Sequence, residues 1–310
     1  MLQLIKIMKI VSLIPSATEI IAALGFKSYL VGRSHECDFP KDVNKLAICT
    51  LPKINPEKPS IKIHEDITEL LKKALSIYDV RVDILEKLKP DLIITQSQCD
   101  VCAVSLKEVE KAVCSLTNSN VKIISLEPNS LSDIFEDIKK VAKALKVPEK
   151  GDKLIKKMKS EIEKIKEKSK NLQEKRVACI EWIEPLMAAG NWMPELVSIA
   201  KGKNIFGIAG KHSSWIKFED LKNTDPDIIV ILPCGFNIER TKKEMGPLTS
   251  KEDWSSLKAV KSKNVFLTDG NQYFNRPGPR IVDSLKILAE IFHPEVFNFN
   301  LQGKGWEKWN

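Results

Sequence analysis

Two kinds of pattern alternate along this chain. Residues 10–14, 29–31, 92–95, 121–126, 176–182, 228–231 and 265–268 read as strands. The short apolar run 10–14 suits a parallel strand covered on both faces. Between the strands, apolar residues recur at helical spacing. Ser16 and Glu19 have the spacing of a capping box before Ile20, Ile21, Ala23 and Leu24, and Gly25 sits where that helix would stop. Ser105 and Glu108 repeat the spacing and open a helix to about residue 116. In the middle, Leu131, Ile134, Phe135, Ile138, Val141, Ala142 and Leu145 trace one helix. After Pro148 and Gly151, Leu154, Met158, Ile162 and Ile165 trace another. A helix over 149–174 would be roughly 35–40 Å long, enough to reach between two lobes. Shorter helical stretches fall at 194–200, 218–222 and 279–292.

The second half echoes the first. Lys89-Pro90-Asp91 leads into Leu92-Ile93-Ile94, and Asp225-Pro226-Asp227 leads into Ile228-Ile229-Val230-Ile231. Repeated strand–helix alternation implies mostly parallel sheets with helices on both faces. The expected architecture is α/β: two lobes with mostly parallel sheets, joined by one long backbone helix. The N-terminal α/β lobe covers 9–130, a helical linker with the long helix covers 131–174, and the C-terminal α/β lobe covers 175–294. Residues 295–310 form a C-terminal tail.

Composition narrows the class. The hydrophobic fraction is 43% and the charged fraction 29%, which is that of a globular chain. A net charge of +8 is spread along the sequence, and its densest run, 153–175, alternates Lys with Glu and Ile as a solvated helix face does. No aromatics interleave with it, so no nucleic-acid partner is expected. Lys6 and Lys9 interrupt the first apolar stretch, which argues against a secretion signal. No stretch approaches a membrane span. Seven cysteines at irregular spacings do not form a disulfide framework, so a cytoplasmic protein with reduced thiols is expected.

In open parallel sheets, ligands sit beyond the carboxyl ends of the strands. The segments expected there are 34–38, 96–102, 184–192, 233–236 and 270–276. They are polar, sulfur-rich or aromatic, and they set the expectation of a small-molecule ligand held in an interlobe cleft.

Several of these segments carry a resemblance. Val11-Ser12-Leu13-Ile14-Pro15-Ser16-Ala17-Thr18-Glu19, Lys89-Pro90-Asp91-Leu92-Ile93 and Gly202-Lys203-Asn204-Ile205-Phe206 resemble solute-binding proteins of the cobalamin and ferric-siderophore class. So do Trp215, Phe218-Glu219-Asp220-Leu221 and Pro226-Asp227-Ile228-Ile229-Val230. The likeness runs over about residues 9–292. It implies two Rossmann-like lobes on a helical backbone and a corrinoid or related metal-chelate ligand. Ser34-His35-Glu36-Cys37-Asp38, Gln98-Cys99-Asp100-Val101-Cys102-Ala103-Val104-Ser105 and the stretch from Asp269 to Arg280 resemble a subgroup without a secretion signal, assigned cobalamin binding by homology. Importers of this class dock on an ABC transporter through an acid at the position of Glu219. With no secretion signal read here, docking is not expected.

Two constellations carry the candidate chemistry. His35, Cys37, Cys99 and Cys102 could form a tetrahedral set for zinc or iron, a redox dithiol, or simply a lining of reduced thiols. A nucleobase deaminase is excluded by order, because Glu36 directly follows His35. Trp192, Trp215, Tyr273 and Phe274 are the aromatic candidates for ligand contact. The resemblance places Trp215 where family members set a Trp against the corrin. Arg276 could hold a carboxylate, phosphate or amide oxygen, or pair with Asp269 or Asp283. Cys234 and Gln98 complete the ligand-binding set, while Trp182 is expected as a buried strand residue. No nucleophile elbow, phosphate loop or dinucleotide fingerprint is present in the sequence. The reading is therefore a binding protein, with a metal- or thiol-dependent enzyme built on His35, Cys37, Cys99 and Cys102 as the alternative.

Overall fold

A computed structural model describes residues 8–72, 77–97, 109–112 and 121–309. It is an α/β chain that divides into two compact units. One comprises Met1–Lys58, Glu65–Glu127 and Phe135–Leu154, the other Pro59–His64, Pro128–Ile134 and Ile155–Asn310.

The first unit is built on a five-stranded sheet. Its strands are β1 (Ile10–Ser12), β2 (Leu30–Arg33), β3 (Ala47–Ile48), β6 (Leu92–Gln96) and β7 (Lys122–Leu126), in the order β3-β2-β1-β6-β7. Every pairing is parallel. Strands β4 (Thr50–Pro52) and β5 (Tyr78–Val80) form a separate antiparallel pair. All residues of β1 and β6 are buried, which is why their sequences do not alternate. Val11, Leu13, Ile93, Leu85 and Cys49 pack into one core here.

Helix α1 (Pro15–Ala23) corrects one expectation. Ser16 and Glu19 are buried and form no capping box. The helix starts two residues earlier, with Ile14 as N-cap and Pro15, whose fixed φ and missing N–H suit a first helical position, as its first residue. The expected stop holds: Gly25 has φ +84°, its N–H donates to Ala22 O, and Phe26 N–H donates to Ile21 O. Both orphan carbonyls are thereby satisfied. The helix expected from Ser105 is seen over 109–112, and 98–108 and 113–120 lie outside the described residues.

Helices α2 (Ser60–Lys72) and α3 (Val82–Leu88) precede β6, and α4 (Leu131–Ala144) follows β7. The long helix α5 runs over Pro148–Ser169, so its 22 residues span about 33 Å, and it ends five residues before the expected point. The boundary between the two units falls inside it. At Gly151 a Cβ would come within 2.6 Å of Ala142 Cβ, so α4 and α5 approach closely only because that side chain is absent.

The second unit has β8 (Lys175–Trp182), β9 (Met187–Ala188), β10 (Gly202–Asn204), β11 (Ser214–Trp215), β12 (Ile228–Ile231), β13 (Val265–Thr268) and β14 (Trp306–Lys308). The sheet order is β11-β9-β8-β12-β13-β14, with β10 paired to the start of β8. The centre is parallel and the margins β9, β11 and β14 are antiparallel. Its longer helices are α6 (Met193–Ile199), α7 (Phe218–Thr224), α8 (Ile238–Glu244) and α9 (Ile281–Phe292), with one-turn helices at Gly246–Thr249 and Lys258–Lys261. β13 reads as the last strand in the sequence, yet β14 follows it. Two or three residues are too few to show a period, and β9, β11 and β14 exist because a neighbouring strand supplies their hydrogen bonds.

The Pro-Asp echo has a physical basis. Lys89 and Asp225 end α3 and α7 in the left-handed conformation, with φ 50° and 41°. Asp91 Oδ2 then accepts Lys9 N–H at 2.9 Å, and Asp227 Oδ2 accepts Arg176 N–H at 2.8 Å. In each unit an aspartate ties the entry of one central strand to its neighbour.

The segment after α9 is held by one buried carboxylate. Glu290 accepts the backbone N–H of Phe299, that of Leu301 at 3.3 Å, and the indole N–H of Trp306 at 2.9 Å. Glu290→Ala leaves these donors without an acceptor and should lower the unfolding free energy by about 2–4 kcal/mol. Urea denaturation measures it. An unchanged midpoint would show that the segment is held by its strand pairing alone.

Candidate functional site

Each sheet delivers its polar residues at the carboxyl ends of its strands. In the first unit, β1 ends at Ser12 and β2 at Arg33, and the loop 34–38 follows. Ser34 N–H donates to Ser12 O at 2.8 Å, closing this loop onto β1. Arg33 is buried and donates from Nη1 to the carbonyls of Ser34 (2.9 Å) and His35 (3.2 Å), fixing the loop by its backbone.

His35 and Cys37 sit in this one loop but face different partners. His35 Nδ1 lies 2.8 Å from Thr50 Oγ1, which also accepts the His35 N–H and donates to Ser34 Oγ at 3.1 Å. The imidazole leans on Tyr78 at 5.2 Å, and the Tyr78 hydroxyl donates to Glu36 Oε1 at 3.0 Å. Burial, reinforced by the positive charge of Arg33, pushes the His35 pKa down to about 4. Cys37 is fully buried with its Sγ 3.1 Å from Thr18 Oγ1, which donates to Ser12 Oγ at 2.8 Å. Among the described residues no group of three or more His, Cys, Asp or Glu side chains is gathered as a metal would require. Cys99, Cys102 and Gln98, the other members of the expected set, lie outside the described residues.

In the second unit, two loops are laced together at the carboxyl ends of β12 and β13. Asn275 Nδ2 donates to Leu232 O at 3.1 Å and to Gly270 O at 3.0 Å, and Asn271 N–H donates to Phe236 O at 3.0 Å. A Cβ at Gly270 would fall 2.1 Å from Pro233 O, so only glycine permits this approach. Residues Gly270–Phe274 form a wide π-helical turn, capped by Asp269 Oδ1 accepting Gln272 N–H at 2.7 Å.

The aromatic set divides. Phe274 is fully buried, and Trp192 is buried with its indole N–H donated to Phe274 O at 3.1 Å. Both were expected to face a ligand, and both are buried here. Arg276 is likewise buried and donates to Asn271 Oδ1 at 3.0 Å, so it braces the turn from inside and does not stand at a rim. Trp182, expected to be buried, is half-buried. Its N–H is held by Glu184 O at 3.1 Å, and its ring lies 5.2 Å from Phe236. Tyr273 and Cys234 are partly exposed. The guanidinium of Arg280 lies 5.5 Å from the Tyr273 ring centroid, and Cys234 N–H donates to Glu181 O at 3.3 Å. Trp215, on β11, is 55% exposed.

Sequence reasoning passed over two further residues. Ile208, in the loop after β10, is 67% exposed. Its place between Gly207 and Gly210 was the signal, an aliphatic residue in a glycine-flanked turn. His64, one turn into α2, sets its ring 5.0 Å from Trp215 at 76°. Nothing in the periodicity of α2 announces that contact, because the partner is 151 positions away in the chain.

Two buried cysteines are chemically quiet. Burial pushes the Cys49 thiol up to about 11 and the Cys179 thiol up to about 12. Such groups stay protonated and unreactive. The carboxyl edges thus offer a partly exposed thiol at Cys234 and an exposed indole at Trp215, while the hydroxyls of Ser12, Thr18, Ser34 and Thr50 are buried.

Comparison with known proteins gives a consistent result. Residues 10–272 match the family model described as periplasmic binding protein. An uncharacterized ABC transporter substrate-binding lipoprotein of Bacillus subtilis is 28% identical over 298 residues, covering 93% of this chain and 81% of its own. A vitamin B12-binding protein of Vibrio parahaemolyticus is 22% identical over 287 residues, covering 92% and 89%. A periplasmic heme binding protein of Pseudomonas aeruginosa has the same fold, with a TM-score of 0.70 at 17% identity and 93% of each chain covered.

The state of His35 makes stability depend on pH. In the unfolded chain this imidazole takes up its proton near pH 6.5, and in the folded protein only near pH 4. Between those values the unfolded state binds more protons, so stability falls as pH is lowered through the window and is unaffected by this group above it. His35→Gln should flatten the loss of stability between pH 6.5 and 4. Urea midpoints of the two proteins that fall in parallel across this range would show that other groups carry the effect.

Proposed function

The chain belongs to the periplasmic binding protein family, and on that premise we propose that it is a solute-binding protein whose ligand is a corrinoid or a related planar metal chelate. The observation that carries this reading is Trp215. An indole is among the most costly side chains to leave in water, and this one stands 55% exposed at the carboxyl end of β8, with the exposed Ile208 in the loop after β10. An open indole at that edge suits a large flat ligand. Relatives that match nearly the whole chain include a vitamin B12-binding protein, and a heme-binding protein shares the fold. Both of those ligands are metal-bearing macrocycles.

Binding of this kind needs shape and apolar area, and the second unit supplies rigidity under them. Asn275 and Gly270 lock the two loops together, so Cys234 and Tyr273 are presented on a fixed backbone. Preorganised contact residues lose little freedom when a ligand arrives.

Calorimetric titration with cyanocobalamin and with hemin tests the proposal. Heat and a spectral shift are expected for one of them, and no response at high micromolar ligand would refute the planar-chelate reading. Trp215→Ala should weaken binding by about tenfold or more, the scale of a central aromatic contact, without moving the urea midpoint. Trp192→Phe should do the reverse, costing about 1 kcal/mol of stability by stranding Phe274 O while leaving affinity intact. Equal effects of both variants on affinity would remove the distinction drawn between the exposed and the interior indole.

A further inference from the structure

We propose that the second unit carries a further binding site, for an organic phosphate, at the edge of its sheet away from Trp215 and Tyr273. The amino ends of β8, β12 and β13, together with the end of α9, border a cavity of about 540 Å³. Pockets that hold small ligands are of roughly 300–1,000 Å³. The cavity shares no residue with the loops 233–236 and 270–276, which lie beyond the opposite ends of the same parallel strands.

Acids and lysines both line this cavity, and their commitments differ. Asp227 Oδ1 pairs with Lys258 Nζ at 2.6 Å, and its Oδ2 accepts the Arg176 N–H. Glu290 is taken up by the N–H groups of Phe299 and Leu301 and by the Trp306 indole. Glu295 has its side chain 65% exposed and lies 3.6 Å from His293 Nδ1. Lys175 and Lys308 are different. Among the described residues no carboxylate lies within ion-pair distance of either. Lys175 is half-buried, and Lys308 holds its ammonium 5.8 Å from the Phe266 ring centroid. Lys201 and Lys203 flank the start of β10, which pairs with the start of β8, and Lys261 and Lys263 precede β13. The same edge therefore carries further positive charge, and a cleft whose uncommitted charge has one sign concentrates counter-ions.

The kind of anion follows from the kind of cation. Arginine presents a planar fork that matches a carboxylate, and no arginine lines the cavity among the described residues. A lysine ammonium is a compact point charge, and it meets the tetrahedral oxygens of a phosphate from any direction. Ser262 adds a hydroxyl at the same place. The edges of Phe266, Ile291, Phe292 and Trp306 also line the cavity. They give apolar surface on which the organic body of the ligand rests, and inorganic phosphate alone would leave that surface uncovered.

Calorimetric titration of the full chain with ADP, glucose 6-phosphate and inorganic phosphate at low salt tests the proposal. At least one of the two esters should bind about tenfold or more tightly than inorganic phosphate, and its affinity should fall as salt is raised and the exposed charges are screened. The tighter ester tells a flat body from a sugar. Lys175→Gln and Lys308→Gln should each weaken that binding about tenfold, the scale of one charge-assisted hydrogen bond, with urea midpoints equal to that of the parent chain. Lys308 is exposed, so its variant carries the test even if replacing the half-buried Lys175 disturbs folding. Trp215→Ala should leave the ester's affinity unchanged. A loss of affinity there would place the ester at the carboxyl edge and overturn the inference. Inorganic phosphate binding as tightly as both esters would show an adventitious ion only. Ester binding that is unchanged in Lys308→Gln, or no heat at millimolar ester, would overturn the inference as well.

Discussion

A strand covered on both faces can place a polar side chain in reach of solvent only at its ends. Most of this molecule follows from that constraint. β1, β6, β12 and β13 are buried at every position, so their ladders and side chains are fully committed to the core. Chemistry is displaced to the loops beyond them, and in parallel strands those loops gather at one edge. Ser34, His35 and Cys37 in one unit, and Cys234, Tyr273 and Asn275 in the other, follow such strand ends, although Ser34 and Cys37 are themselves buried.

The two units solve the problem of entry into the sheet in the same way. A left-handed residue ends a helix, a proline prevents its continuation, and an aspartate then accepts the N–H of the neighbouring strand's first residues. The carboxylate makes a charge-assisted bond at a point where the ladder has not yet begun. The exit from the sheet is treated differently. In the first unit Arg33 and Thr50 hold the loop through carbonyls and a hydroxyl. In the second, Asn275 and the side-chain-free Gly270 hold loop to loop.

Burial separates the aromatic residues into two roles that composition cannot distinguish. Trp192 is buried and has its one polar atom satisfied by Phe274 O. Trp215 sits on a two-residue antiparallel strand, β11, at the margin of the sheet, and stays 55% exposed although His64 of α2 meets its ring. Arg276 shows the same division among charged groups. It is buried and donates to Asn271 Oδ1 within the same turn.

The sequence by itself determined the secondary elements long enough to show a period, the parallel character of the central strands, the Pro-Asp repeat and the helix stop at Gly25. Each of these depends on neighbours a few residues apart, through backbone sterics or the spacing of apolar side chains. It also placed His35, Cys37, Cys234 and Tyr273 in loops at strand ends, because that follows from topology. Tertiary structure alone decided the rest. β9, β11 and β14 form because a partner strand donates to them. The capping box at Ser16 gives way because that helix start is buried. Trp192 and Phe274 are interior, and His64 meets Trp215, because side-chain surroundings come from residues remote in the chain, and no local pattern records them.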